Sequence, residues 1–183
     1  MVRRTAGAIL LALGAVTGAA QAQEQAPVRD RLYAQEQEPR SNVFGDPFGQ
    51  VLHGLQGCPA PAGPMVTAAE ARRDAHWRAE RGTSCYRSGR CRLPNAYLYD
   101  SELYPRLKQY LEQDPQLKGA SIWVTVQRRW VTLQGCVLSA QQGAALEAAV
   151  RQIDDVEAVV GEWMVGAGGK PVYEVAGPGP AAP

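Results

Sequence analysis

The chain has 183 residues, a formal net charge of +1 and four cysteines, which suits one small domain with additional segments. A charge so close to neutral excludes the overall basic character of a nucleic-acid binder, so no nucleic-acid partner is expected. Two histidines and four cysteines leave little material for a metal centre.

The first residues read as an export signal. Arg3 and Arg4 give a positive start, residues 6–20 are uncharged and apolar, and Ala20-Gln21-Ala22 offers small residues where a signal peptidase cuts. The apolar run is too short and too rich in Gly and Thr for a membrane span, which needs roughly 20 apolar residues. An uncleaved anchor is the less favoured alternative. Residues 1–22 are therefore expected to be a cleaved signal peptide, which places the chain in the periplasm, where it would be soluble or peripheral to the outer membrane.

Residues 23–64 are rich in Gln, Pro, Gly and Ala and lack apolar periodicity, so a flexible segment is expected. Residues 65–99 should hold a helix and a basic loop. Thr67-Ala68-Ala69-Glu70 is a capping-box pattern, and Gly82 suits the left-handed position that ends helices. The loop from Cys85 to Cys91 follows, with Ser88-Gly89 as turn chemistry. From Glu70 to Arg92 seven arginines face three acidic residues.

Residues 100–166 change character. Leu103, Leu107, Tyr110 and Leu111 form the stripe of an amphipathic helix that Asp114-Pro115 should stop. Ile122, Val124 and Val126 alternate with Trp123, Thr125 and Gln127. After Arg128-Arg129, Val131, Leu133, Gly135 and Val137 alternate with Trp130, Thr132, Gln134 and Cys136, and the two runs read as a hairpin. Ser139 can cap a second helix carrying Leu146, Val150 and Ile153, and residues 156–165 read as a third strand. The predicted fold class is α+β: an αββαβ two-layer domain, with a three-stranded sheet and two helices on one face. Before it stands a disulfide-tied helical or irregular N-terminal segment. Residues 167–183, rich in Gly, Ala and Pro, are expected to be disordered.

An even cysteine count in an exported chain reads as disulfides. The C-x5-C spacing of Cys85 and Cys91 does not suit zinc, and only His53 and His76 could add ligands. Three pairings are open; the short loop suggests Cys85 with Cys91, leaving Cys58 for Cys136.

Residues 103–165 resemble the BON domain, a small module of bacterial envelope proteins. The resemblance rests on Leu111-Glu-Gln-Asp-Pro-Gln-Leu117, Ile122-Trp-Val-Thr-Val126, Val131-Thr-Leu-Gln-Gly135-Cys-Val137 and Asp155-Val-Glu-Ala-Val159. It implies an αββαβ fold in the cell envelope and binding to phospholipid or to an envelope protein, with no catalytic residues to carry over. Arg128-Arg129 departs from the family's glycine-containing turn. A two-residue turn of the primed type favours Asn or Gly, so a longer or bulged turn is expected.

Gly135 is read as structural, because a side chain there would strike a helix. The outer sheet face carries Trp123, Trp130, Cys136, Val160 and Met164, too apolar for an open face. The N-terminal segment crosses it, pinned from Cys136, or Trp123 and Trp130 meet a membrane or partner, or the two are isolated surface tryptophans. The candidate contact residues are Arg72, Arg73, Arg87, Arg90 and Arg92 together with Trp123 and Trp130. The partner classes are an anionic phospholipid surface or an envelope protein. Catalysis is not expected: Asp74 and His76 face different ways on one helix, Ser84 lacks a nucleophile-elbow context, and no Gly-rich cofactor loop precedes a helix.

Overall fold

The computed structural model of the protein describes residues 38–177. The expected signal peptide, the first part of the 23–64 segment and the last residues of the tail lie outside the described residues.

In chain order the elements are β1 (Phe48–His53), α1 (Ala68–Arg87), α2 (Asp100–Gln113), β2 (Ser121–Gln127), β3 (Trp130–Val137), α3 (Ala140–Arg151) and β4 (Ala158–Val165). Single 3₁₀ turns at Ala96–Tyr99 and Pro115–Leu117 flank α2. The sheet has four strands in the order β1-β2-β3-β4, with β1 and β3 antiparallel to β2 and β4 parallel to β3.

The four-stranded sheet corrects the expectation of three strands and of a flexible segment through residue 64. β1 was illegible because it does not alternate: its register breaks between Gln50 and Leu52, and the neighbours Val51 and Leu52 are both buried. A bulge of this kind erases the period of two that marks a strand.

The core lies between sheet and helices. Leu103, Leu107 and Leu111 of α2 and Leu146 and Val150 of α3 join Ile122, Val124, Val126, Val131 and Leu133 in one cluster with no measurable exposure. Burying each such side chain contributes about 1.5–3 kcal/mol. Trp163 completes the α3 side, its indole N–H donating to Glu147 Oε1 at 3.0 Å. A Cβ on Gly143 would come within 2.4 Å of that ring.

Gly135 is structural for a reason other than the one expected. Its φ is +139°, and a Cβ would stand 2.1 Å from the Ser121 carbonyl oxygen of β2. The obstruction is the neighbouring strand, not a helix.

α1 opens on the expected capping box, with Glu70 N–H on Thr67 Oγ1 and Thr67 N–H on Glu70 Oε2. The bond from the Thr67 backbone holds the Glu70 carboxyl below its ordinary pKa. The helix passes through Gly82, which is buried against Asn95, and the left-handed residue beyond its end is Gly89 at φ +71°.

Residues 171–177 also depart from the disordered tail expected there. Tyr173 is buried and its hydroxyl donates to the Pro59 carbonyl at 2.7 Å, while Ala62 N–H and Ala176 N–H bond to Glu174 and Ala60. One aromatic anchor and two backbone hydrogen bonds dock the segment against residues 59–62. The cysteines pair as Cys58–Cys136 and Cys85–Cys91. Among the described residues no helix is long and apolar enough to cross a membrane.

Candidate functional site: an arginine-rich face beside the hairpin turn

α1 distributes its arginines unequally. Arg72 and Arg73 are exposed in its first half, and Arg87 and Arg90 are exposed around the loop that the Cys85–Cys91 bridge closes. Arg90 Nε donates to Ser88 Oγ at 3.0 Å. Arg92 is engaged: its guanidinium contacts Glu102, lies 3.7 Å from Asp155 and stacks over Tyr99. The Glu102 contact pushes its pKa up. Arg78 is structural, because its guanidinium is sandwiched between Phe44 and Tyr97 and forms a two-pronged pair with Asp46 at 3.0 and 2.5 Å. Among the described residues no ion pair holds Arg72, Arg73, Arg81, Arg87, Arg90 or Arg128.

The β2–β3 turn is tight, not the longer or bulged turn expected. Gln127 pairs with Trp130, and Arg128 and Arg129 both adopt left-handed backbone at φ 56° and 68°. Side chains other than Gly and Asn pay for that conformation. Asp100 supplies the compensation: its buried carboxylate accepts the Arg128 N–H at 2.6 Å and the Arg129 N–H at 2.8 Å. Burial pushes the Asp100 pKa up to about 6, against the two backbone bonds that favour the ion; Asp46 adds to the rise and Arg78 opposes it. The Arg129 side chain turns inward, donating to the Asp155 carbonyl at 2.8 Å and stacking 5.0 Å over Tyr99. Arg128 turns the other way and lies 5.3 Å over the Trp130 ring.

Between α1 and this turn lies a cleft of about 240 Å³, lined by Asp74, Trp77, Arg78, Arg81, Tyr97, Gln127, Arg128, Trp130 and Thr132. Trp77 is 56% exposed and Trp130 41%. Arg81 stacks 4.9 Å over Trp77, one helical turn away, as Arg128 does over Trp130. The sequence reading included Trp130 but missed Trp77, Arg81 and Arg128. The i, i+4 spacing of Trp77 and Arg81 was the available signal.

Trp123 does not join Trp130 in one patch. It pairs with Gln134, whereas Trp130 pairs with Gln127, and the Thr125–Thr132 pair stands between them. Trp123 is half-buried in a hollow lined by Gln50, His53, Leu55 and the Cys58 segment. Cys136 and Met164 are buried beneath the same segment and the tail, so the outer face is covered at that end and open at Trp130.

Asp74, His76 and Ser84 stay apart in their bonding. The His76 imidazole lies 3.2 Å from Glu80, and the Ser84 hydroxyl donates to the Arg81 carbonyl one turn back.

No curated protein matches the chain. Residues 99–165 match the family model of the BON domain, with α1, β1 and three of the four cysteines outside the match. The match runs from the end of the 3₁₀ turn before α2 to the end of β4, and an additional strand and helix are built onto the matched region.

Proposed function

We propose that the protein is an exported, non-catalytic module of the bacterial cell envelope that binds anionic phospholipid surfaces through the arginines of α1 and its disulfide-closed loop. The observation that carries this reading is the set Arg72, Arg73, Arg87 and Arg90, exposed on one helix and its loop with no carboxylate among the described residues holding them. Basic side chains at an anionic leaflet contribute about 1 kcal/mol each, and salt screens them over about 10 Å at 0.1 M. The BON domain is consistent with such a role.

Cosedimentation with phosphatidylglycerol vesicles tests it. Binding is expected at low salt, to fall steeply at high salt, and to be absent on uncharged vesicles. Arg87→Ala with Arg90→Ala should remove most of it without altering the fold. Absence of binding at low salt, with both disulfides intact, rejects the lipid reading.

One observation favours docking onto an envelope protein instead. The Cys58 segment covers the Trp123 end of the sheet, leaving less apolar surface for insertion into lipid. On that reading the same arginines meet an acidic protein surface. Export is tested separately: the periplasmic protein should begin near Gln23, and an intact Met1 form confined to membranes would overturn it.

A further inference from the structure

We infer that the cleft between α1 and the β2–β3 turn is a discrete binding site for one phosphate ester. Half of it, Trp77 and Arg81, stands outside the residues that match the BON domain. The inference sharpens the membrane reading, since a lipid headgroup is one carrier of such a group, but a soluble phosphate ester offers the same chemistry.

Four observations support it. First, Arg81 and Arg128 line one concavity from two different elements, and among the described residues neither has a carboxylate partner. Arg78 lines the same cleft but is consumed by Asp46, so the contrast lies within the site. Second, each of the two guanidiniums lies over an indole. Stacking of this kind steadies the plane and leaves the N–H edges to donate, and that fork matches two phosphate oxygens. Third, Arg128 is held in place at a conformational cost. Its left-handed backbone is one that Asn or Gly would adopt more readily, and Asp100 clasps it from below. A strained residue fixed at the rim of a cleft is the arrangement expected of a pre-organised ligand contact. Fourth, the cleft also contains Asp74. A carboxylate beside the anion site disfavours a bare phosphate dianion and accepts from a hydroxyl or amine on the ester's other side. A volume of about 240 Å³ suits a headgroup and not acyl chains.

The test uses the oxidised full chain labelled with ¹⁵N, titrated with sn-glycerol 3-phosphate and, as a control, glycerol. The four tryptophans give four indole N–H signals. Those of Trp77 and Trp130 should shift with glycerol 3-phosphate and not with glycerol, while Trp123 and Trp163 stay still. Arg81→Gln and Arg128→Asn should each weaken binding about 10-fold or more, the loss of one charge-assisted contact. Arg128→Asn keeps the turn, because Asn tolerates left-handed backbone, and Arg81→Gln is a conservative exchange on an exposed helix. Lys108→Gln, on α2 and outside the cleft lining, should leave the affinity unchanged. No shift at Trp77 and Trp130 at millimolar glycerol 3-phosphate overturns the inference, as does an affinity that survives both cleft variants.

Phosphatidylglycerol vesicles separate the sources. Vesicle binding lost in both cleft variants identifies the ester as a lipid headgroup. Glycerol 3-phosphate shifts without vesicle binding identify a soluble ester and reject the membrane reading alone. Vesicle binding that depends on Arg87 and Arg90, without any glycerol 3-phosphate shift, rejects the cleft alone.

Discussion

In residues 99–165 the core is built mainly from aliphatic side chains without measurable exposure, among them Leu103, Leu107, Ile122, Val124 and Leu133. In residues 38–98 β1 sends Val51 and Leu52 into that core, and beyond β1 the contacts centre on a guanidinium. Arg78 lies between two aromatic rings and against a carboxylate that Gln127 also binds, at 2.8 Å. The first segment is ordered by burial of apolar area, which is non-directional and follows the period of the element. The second is ordered by a few directional contacts and two covalent bridges, which have no period. One chain therefore contains two answers to the cost of ordering backbone, and only one of them leaves a pattern in the sequence.

The largest test of this contrast is Cys58→Ala with Cys136→Ala. A loop of 78 residues is released, and the chain-entropy estimate is a loss of about 4 kcal/mol. Hydrogen exchange should show protection lost first in β1 and residues 58–62, with α2 and β2–β4 retained. Uniform loss across all strands would show that the two regions are one cooperative unit.

Arg78→Ala is next, with an expected loss of about 3 kcal/mol, because Asp46 would be left as an uncompensated buried carboxylate. A loss under about 1 kcal/mol in denaturant titration would mean that the arginine fills space without organising the segment.

Asp100 sits where the regions meet, and two measurements address it. Asp100→Asn places an amide NH₂ against one of two backbone donors, so a loss of about 2 kcal/mol is expected. In the native chain the folded pKa of about 6 lies above the ordinary value of 3.8. The folded state thus holds a proton that the unfolded state has released. Its contribution to stability is full below about pH 4 and is lost as pH rises to about 6. Stability-versus-pH curves of the native chain and Asp100→Asn should differ in that window; parallel curves there would refute the assignment.

The smallest effect has the opposite sign. Arg128→Asn with Arg129→Gly should gain about 0.5–1 kcal/mol from the turn backbone. A net loss in thermal unfolding would mean that Arg129, through Asp155 and Tyr99, contributes more than its backbone costs.

These contacts also explain what could be read in advance. The α2 stripe and the alternation of β2 and β3 name the core residues directly, since their periods are the burial pattern. The Trp130 side of the cleft follows from parity along β3. The rest was hidden for definable reasons. β1 carries a bulge, so its two buried apolar residues stand side by side. Gly82 looks like a helix stop, yet it is a close approach to Asn95 within α1, and Gly89 does the stopping. The tight turn looks impossible for Arg128-Arg129 until Asp100, distant in sequence, is known to face it. Arg78, Arg81 and Arg92 are indistinguishable in the sequence, and only their neighbours separate a structural arginine from an available one.

The two disulfides differ in span, 6 residues against 78, and that difference sets an order of oxidation. By loop-closure entropy the long bridge is about 2 kcal/mol harder to close in an unfolded chain. Cys85 and Cys91 should therefore find each other first, before any sheet exists. Once joined, they are no longer rivals for Cys58, and the three pairings open to four thiols shrink to one. The small loop thus acts as a proofreader of its own chain: it withdraws the two wrong partners while Cys58 waits for β3 to bring Cys136 within reach.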